Sequence, residues 1–405
     1  MYKACIIGAG AAGLIAAIEA SSARGDILIL DKNKKAGMKL YATGNGRCNL
    51  ANLHMASSCY YDNNFATDIL GEKPSDFVIQ YMNKLGVSCY DKNGYVYPRS
   101  NQASTIVWAL LDRLKRDNIT LKTGIEAGII TEDNDYYTVK DINGKEICKA
   151  ENVIISTGGI SMPKLGAASE TTTCKLFDSL NIKYNSFKPS LCPIVCEPES
   201  SGNISDISGV RSNGRVSVTT RDGRKYSEDG EVQFTDYGLS GIVVFDLSYY
   251  DDIKTITIDT LFDISEDEFV SLFNITKENN PTRTLHGFLN GFINDKLAAY
   301  IINSVGLSLK QELSDSDIES AKRIYTAARN IKYIFKSLYG YTHSQVTKGG
   351  IFCEEIDPLT MQLKNRSGLY AAGEAIDVCG KCGGYNLMWA MRSGYLAGKN
   401  IREKQ

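Results

Sequence analysis

The run Gly8-Ala9-Gly10-Ala11-Ala12-Gly13 decides the fold. It has the form G-x-G-x-x-G, it follows the apolar residues 4–7, and it opens an alanine-rich stretch that suits a helix. In a strand–turn–helix unit of this kind, Gly8 permits the tight turn, Gly10 lets the backbone approach a pyrophosphate, and Gly13 lets the helix pack closely. The helix N-terminus then presents free N–H groups and a positive dipole to the phosphates.

A second buried strand supports this prediction. Residues 26–30 are apolar apart from Asp26, and Asp31 follows them, 18 residues after Gly13. A strand–helix–strand of this length predicts a right-handed parallel crossover. A carboxylate at the end of the second strand accepts hydrogen bonds from a ribose in dinucleotide sites. The sequence therefore predicts a dinucleotide cradle in an α/β domain, with a glycine-rich turn without ligand as the alternative. The cradle alone does not distinguish NAD from FAD.

Two late segments favour FAD. The apolar residues 368–372 end in Gly373-Glu374, and Gly383-Gly384-Tyr385-Asn386-Leu387 opens the last predicted helix. The first segment resembles the second flavin signature of glutathione-reductase-like flavoproteins, in which a late strand and an acidic residue hold the ribityl and phosphate side of the cofactor. A helix N-terminus beside a flavin ring stabilises negative charge there. The alternative is a buried strand followed by a helix that begins at glycine.

The middle of the chain has a different pattern, beginning near Pro189. Strands are predicted over residues 216–218, 232–234, 242–247, 256–258 and 333–341. Asp222-Gly223 is predicted to be a hairpin turn, and Ser265 is predicted to cap a helix. Two further helices are predicted over residues 285–305 and 315–331. The simplest organisation is an α/β domain split by an insert, which consists of a β unit followed by a helical unit.

Several longer motifs resemble the BaiN/YhiN-like flavoproteins, and they occur in the same order along nearly the whole chain. They are residues 37–50 (GMKLYATGNGRCNL), 157–163 (TGGISMP), 234–241 (FTDYGLSG), 346–350 (VTKGG), 357–361 (DPLTM) and 368–394. The resemblance implies an FAD-dependent oxidoreductase with a Rossmann-like FAD-binding domain, interrupted by an inserted β-barrel-like domain and a helical domain. The implied boundaries are 1–188 with 345–405, 189–262 with 332–344, and 263–331.

The same resemblance implies a set of residues in contact with FAD. They are Gly8, Gly10, Ala11, Ala12, Gly13, Asp31, Lys32, Lys39, Gly44, Asn45, Gly46, Arg47, Cys48, Asn49, Ala127, Thr157, Gly158, Gly373, Glu374, Gly384, Tyr385, Asn386 and Leu387. Arg47 would hold a phosphate or tune the ring, and a surface arginine is its alternative. Cys48 is expected to pack. Tyr385 and Asn386 would lie beside the isoalloxazine ring, and a packed aromatic is the alternative for Tyr385.

The residue that moves a proton is not identified by sequence. The candidates are His343, Lys348 and Tyr385, and a structural or exposed role is the alternative for the first two. Cys379-Gly380-Lys381-Cys382 is a C-x-x-C motif. A redox dithiol is the less favoured interpretation, since the chain has no second G-x-G-x-x-G. No metal site is predicted, because no second cysteine pair has suitable spacing.

Composition narrows the class of protein. The 405 residues carry a net charge of -2, so neither nucleic acid nor an acidic membrane surface is expected as a partner. No apolar run is long enough to span a membrane, and no secretory signal is apparent. Eleven cysteines scattered through a long chain predict a reducing cytoplasm rather than a disulfide framework. The expected partner is a small-molecule substrate, with NADH or NADPH as a transient electron donor, and the sequence does not specify the oligomeric state.

The resemblance is incomplete at positions that could face a substrate. Met38, Asp236, Ile242, Met388 and Met391 replace residues that are usual in the family. The expected reaction is reduction of an activated C=C bond, such as that of an enone, on an unidentified small molecule. The alternatives are an amine oxidase-like activity and a flavin-bearing redox-sensing or binding protein without turnover. An NAD-dependent dehydrogenase is disfavoured, since it leaves Glu374 and the Gly383 helix unexplained.

Overall fold

A computed structural model of the chain describes residues 1–21, 25–61, 64–115, 118–199 and 204–403. Contacts divide the chain into two compact units, Met1–Pro189 with Gln345–Gln405, and Ser190–Ser344. A finer division of the second unit, at 262/263 and 331/332, stays a prediction.

Strands are found in both units. They are β1 (Tyr2–Ile7), β2 (Ile27–Asp31), β3 (Ala51–Asn52), β4 (Cys89–Lys92), β5 (Tyr95–Pro98), β6 (Ile119–Thr123), β7 (Ala127–Glu132), β8 (Tyr137–Asp141), β9 (Glu146–Ile155), β10 (Tyr184–Ser190), β11 (Ile194–Pro198), β12 (Arg211–Thr220), β13 (Lys225–Thr235), β14 (Gly238–Ser240), β15 (Ile253–Asp259), β16 (Ile331–Leu338), β17 (Val346–Ile351) and β18 (Leu369–Ala371).

Helices are found in both units, and several of them follow one another late in the second unit. They are α1 (Ala11–Ala20), α2 (Met38–Ala42), α3 (Asn64–Leu70), α4 (Pro74–Lys84), α5 (Ala103–Leu114), α6 (Glu170–Asp178), α7 (Ile242–Leu247), α8 (Glu266–Asn279), α9 (Leu285–Leu289), α10 (Asp295–Ser304), α11 (Ile318–Ala328) and α12 (Tyr385–Glu403). Short 3-10 turns include Thr43–Gly46 and Gly373–Ala375.

The first unit is built on a seven-stranded sheet in the order β6-β2-β1-β9-β8-β7, with β18 also paired to β9. β1 lies parallel to both β2 and β9, and its residues Ala4–Ile7 pair with Ile27–Leu30. Strands β1 and β2 are buried along most of their length, as parallel strands covered on both faces must be. The Rossmann-like α/β prediction is confirmed.

Helices α1 and α12 pack closely because glycine faces the contact. A Cβ at Gly394 or at Gly398 of α12 would lie 2.3 Å from a carbonyl oxygen of α1, that of Ala12 or Ala16. The two helices therefore approach backbone to backbone. This contact brings the start of α12 toward the start of α1.

The second unit contains the closed barrel β11-β14-β13-β12-β15-β16. Its interior and the helices share one hydrophobic core, in which Val232 and Tyr333 from strands join Phe269 and Leu297 from helices. The hairpin predicted at Asp222-Gly223 is confirmed, since Thr219 of β12 pairs with Lys225 of β13.

Two local predictions were wrong and one was right. Residues 242–247 form helix α7 rather than a strand: Ile242 is exposed while Val243, Val244 and Leu247 are buried, and this one-sided packing outweighs the strand preference of β-branched residues. The helix predicted over 285–305 is two helices, because Asn294 caps α10 by accepting a hydrogen bond from the Lys296 N–H at 3.0 Å. Ser265 caps α8 as predicted, accepting from the Glu268 N–H at 3.2 Å.

Candidate active site

The glycine loop between β1 and α1 is tightly packed at two positions and open at a third. A Cβ at Gly8 would lie 2.2 Å from the Ser156 carbonyl oxygen, and one at Gly13 would lie 1.9 Å from that of Gly8. A Cβ at Gly10 would meet no described atom within 4 Å. Gly10 is the N-cap of α1, and no side chain of the described ranges caps this end of the helix. The loop thus offers backbone N–H groups to an anion that approaches Gly10 closely.

Asp31 is held at the end of β2 by the backbone around it. Its Oδ2 accepts from the Ala9 N–H at 2.8 Å, and its Oδ1 accepts from the Asn33 N–H at 2.7 Å. Each carboxylate oxygen keeps lone pairs for a ligand hydroxyl. Asn33, which no sequence motif marks, donates from Nδ2 to the Gly166 carbonyl at 2.9 Å.

A cleft that we call the main cleft lies against this loop and has a cavity volume of about 190 Å³. The predicted cofactor residues that line it are Gly8, Gly10, Ala11, Ala12, Asp31, Lys39, Thr157, Gly158, Gly373, Glu374, Asn386 and Leu387. Segments from the two ends of the chain therefore face one space.

A side cavity continues from the main cleft, since Gly8, Asp31 and Thr157 line both spaces. Lys32 and Ala127, two further predicted cofactor residues, line only the side cavity. Thr173 also lines it, and this residue was missed by the sequence analysis. The Thr173 side chain is buried, and its Oγ1 has no hydrogen-bond partner among the described residues.

Lys39 and Glu374 form an ion pair in the main cleft, with Nζ 2.8 Å from Oε2. Lys39 also donates to the Ser161 hydroxyl at 2.8 Å, and Oε1 of Glu374 accepts from the Thr347 N–H at 2.7 Å. The Thr347 hydroxyl in turn accepts from the Ile160 and Ser161 N–H groups at 3.0 Å each. These contacts join α2, the segment after β9, β17 and the turn after β18. Ser161 and Thr347 lie within quoted motifs, but their spacing did not reveal a role.

Residues 43–49 form an irregular turn beside the cleft, of which Thr43 lines the wall. Gly44, Asn45, Gly46 and Cys48 all have left-handed backbone conformations. The predicted cofactor residues 44–47 are exposed, whereas Cys48 is fully buried. Burial raises the pKa of the Cys48 thiol to about 11, so it stays protonated at neutral pH and packs as a small apolar group.

Asn49 lies next to the start of α12. Its Oδ1 is buried without a hydrogen-bond partner among the described residues, and a Cβ at Gly384 would lie 2.9 Å from this oxygen. Asn386 exchanges two hydrogen bonds with Gly380, donating to its carbonyl at 2.7 Å and accepting from its N–H at 2.8 Å. The Trp389 indole, a residue the motifs did not single out, donates to the Gly373 carbonyl at 3.0 Å and lines the cleft.

The three proton-transfer candidates occupy different surroundings. Tyr385 is buried, and its hydroxyl donates to the His54 carbonyl at 2.7 Å. Lys348 is half-buried in β17. His343 is exposed and belongs to the second unit, where its ring meets that of Tyr339 at 4.4 Å between centroids. Their catalytic roles stay predictions.

The two cysteines of the C-x-x-C motif differ in burial. Cys379 is buried and Cys382 is half-buried. Cys382 is 3.8 Å from Oε1 of Gln345, another residue of the cleft wall. Among the described residues no cluster of three or more potential metal ligands is found.

Comparison with known proteins gives matches along the whole chain. The family model described as the HI0933-like protein Rossmann domain matches residues 2–400. The 3-dehydro-bile acid delta(4,6)-reductase of Clostridium scindens is 30% identical, with 100% of each chain covered. The ribosomal RNA dihydrouridine synthases of Escherichia coli and Haemophilus influenzae are each 27% identical, covering 99% and 98% of this chain and 98% and 97% of theirs.

Within the described ranges, no helix is both long and apolar enough to cross a membrane.

Proposed function

The chain belongs to the HI0933-like Rossmann-domain family and is an FAD-dependent oxidoreductase, and we propose that it reduces a C=C bond conjugated to a carbonyl group. The relatives' names support this reaction class. A delta(4,6)-reductase of a 3-dehydro-bile acid saturates double bonds conjugated to a ketone. A dihydrouridine synthase saturates the uracil bond that is conjugated to a ring carbonyl.

The residues present fit FAD. Gly10 opens onto free space where a pyrophosphate would approach, whereas Gly8 and Gly13 have none. The buried Thr173 hydroxyl, which has no partner in the part of the chain that the structure describes, lines the side cavity and suits the polar edge of an adenine. The uncapped start of α1 suits the phosphates, and Asp31 suits a ribose.

Bound FAD supplies a two-electron carrier that links a donor to an acceptor. The chain's own residues would bind and orient it. Glu374, fixed by Lys39 and Thr347, would accept from hydroxyls of the ribityl side. The N-terminus of α12 would place partial positive charge near the ring. In the overall reaction NADH or NADPH gives up a hydride, the acceptor gains a hydride at its β carbon, and water supplies the proton that its α carbon gains.

We propose a small molecule rather than RNA as the acceptor. The net charge of -2 provides none of the excess positive charge that phosphate backbones select.

The single observation that carries the proposed flavin-dependent reduction is that both flavin-type segments of the sequence, around Gly10 and around Glu374, line one cleft.

The test is a visible spectrum of the purified protein, followed anaerobically as NADH and then NADPH are added. We expect yellow protein that bleaches with one of them and recovers its colour when an enone is added. Yellow protein that bleaches only with dithionite would contradict the proposed donor. A yellow colour that returns when oxygen is added, but not when any enone is added, would contradict the proposed reaction.

A further inference from the structure

One face of the small sheet β3-β5-β4 carries three tyrosines. The register pairs Tyr90 with Tyr97, and strand alternation puts Tyr95 on the same face as Tyr97. Val96, on the opposite face, is buried, whereas all three tyrosines are half-buried. The rings of Tyr90 and Tyr97 lie 6.1 Å apart at 35° to one another. We call Tyr90, Tyr95 and Tyr97 the tyrosine face.

The tyrosine face adjoins two segments that the family resemblance places along FAD, residues 44–49 and the start of α12. A Cβ at Gly44 would lie 3.7 Å from Cε1 of Tyr97, and one at Gly383 would lie 3.0 Å from Cε1 of Tyr95. Asn52 of β3 also donates from Nδ2 to the Gly383 carbonyl at 3.1 Å. The sheet is therefore anchored to the start of α12.

The tyrosine face is held in place and lies beside positive charge. The Tyr90 hydroxyl donates to Oδ1 of Asn101 at 2.6 Å, which fixes the ring. Burial raises the pKa of Tyr97, and the neighbouring Arg47 guanidinium opposes that rise. Arg47 is exposed, and the exposed Lys92 pairs with Tyr95 in the ladder. Preformed aromatic surface flanked by cations recognises a flat ring attached to an anion.

We propose that the tyrosine face and Arg47 position the acceptor: a small molecule whose flat unsaturated ring packs on the tyrosines while its anionic group pairs with Arg47. This inference rests on the proposed reductase function and adds the residues that select the acceptor. Its grounds are the continuity of the face with Gly44 and Gly383 and the charge beside it. The tyrosines act as positioning residues, since no bond of the reaction forms on them.

The test uses the full-length protein loaded with FAD and two probes, 3-oxo-4-cholenoic acid and the uncharged 4-androstene-3,17-dione. Binding is followed by the change in the flavin spectrum, and turnover gives KM and kcat separately. Tyr97→Leu should raise Kd and KM for both probes about 10-fold, with FAD content and the rate of reduction by dithionite unchanged. Arg47→Gln, compared with the unchanged protein at equal FAD occupancy, should weaken binding of the acid about 10-fold more than binding of the dione.

Tyr136→Leu is the matched control, because Tyr136 is a half-buried tyrosine of the same unit outside this sheet. It should bind both probes as the unchanged protein does. The proposal would be overturned if Tyr97→Leu and Tyr136→Leu changed the Kd and KM of the probes equally. It would also be overturned if Arg47→Gln weakened binding of both probes equally. FAD-loaded protein that binds neither probe, or displacement of the acid by a uridine oligonucleotide, would overturn it as well. Protein that cannot take up FAD would instead overturn the cofactor assignment.

Discussion

At the scale of the residue, the glycines of the loop have two different roles. Gly10 leaves space for a ligand, whereas Gly8 and Gly13 allow the backbone to pack closely. Gly10→Ala should leave the fold intact, since its added Cβ meets no described atom within 4 Å and its φ of -83° suits alanine. The methyl group would occupy the space that the pyrophosphate needs. We therefore expect unchanged or slightly higher stability of the protein without FAD, and FAD affinity lowered at least 10-fold, measured by urea unfolding and by fluorescence titration.

Gly13→Ala should give the opposite result. Its Cβ would lie 1.9 Å from the Gly8 carbonyl oxygen, so α1 must move away from β1. Overpacking of this kind costs about 1–3 kcal/mol. The protein without FAD should therefore be destabilised, which separates Gly13→Ala from Gly10→Ala. Equal stability of the two variants would contradict the assigned roles.

Thr173 provides a second test at this scale. Its hydroxyl is buried without a partner among the described residues, which costs about 1–3 kcal/mol in the free protein. Thr173→Val should therefore stabilise the protein without FAD while weakening FAD binding several-fold. Thr173→Ser keeps the hydroxyl and serves as the control, with FAD affinity close to that of the unchanged chain. Tighter FAD binding by the valine variant would exclude a ligand at this hydroxyl.

At the scale of the element, close helix packing and helix propensity predict opposite effects of an alanine at Gly394 on the stability of the protein. Gly394→Ala should favour helix α12 by about 1 kcal/mol on propensity alone. Its Cβ, however, would lie 2.3 Å from the Ala12 carbonyl oxygen of α1. Because neither backbone can yield easily, we expect net destabilisation by about 1–2 kcal/mol and weaker FAD retention. Lys399→Ala, a partly exposed change on the same helix, should cost under about 0.5 kcal/mol in the same urea unfolding experiment. A more stable Gly394→Ala variant would show that α1 and α12 tolerate separation.

The sequence predicted elements well where local chemistry determines them. Ser265 caps α8, and the turn at Asp222-Gly223 closes a hairpin, because both features depend on a few adjacent residues. Residues 242–247 were misassigned because burial of Val243, Val244 and Leu247 is a tertiary fact. The motifs point to the main cleft, but they do not mark Trp389 on its wall or Thr173 in the side cavity, since chain folding alone brings these two residues there.

At the scale of the whole molecule, the second unit should fold as an independent domain. Residue Ile194 of β11 pairs with Leu338 of β16, so the two ends of the unit lie close together. Its core draws on strands and helices together: Phe234 contacts Tyr333 in the barrel, and Phe269 of α8 packs 5.2 Å from Phe288. A fragment of residues 190–344 should therefore unfold in one cooperative transition, followed by circular dichroism in urea.

Substitutions in that fragment decide whether residues 263–331 are a separate domain. Phe269→Ala removes a fully buried ring and should cost about 3–5 kcal/mol. Ile275→Ala lies on the same helix but is 52% exposed, so it should cost far less. If strands and helices share one core, Phe269→Ala shifts the whole transition, including the signal from barrel tyrosines. Two transitions, of which only one responds to Phe269→Ala, would instead mean that the helical part folds on its own, as the three-domain division of the sequence requires.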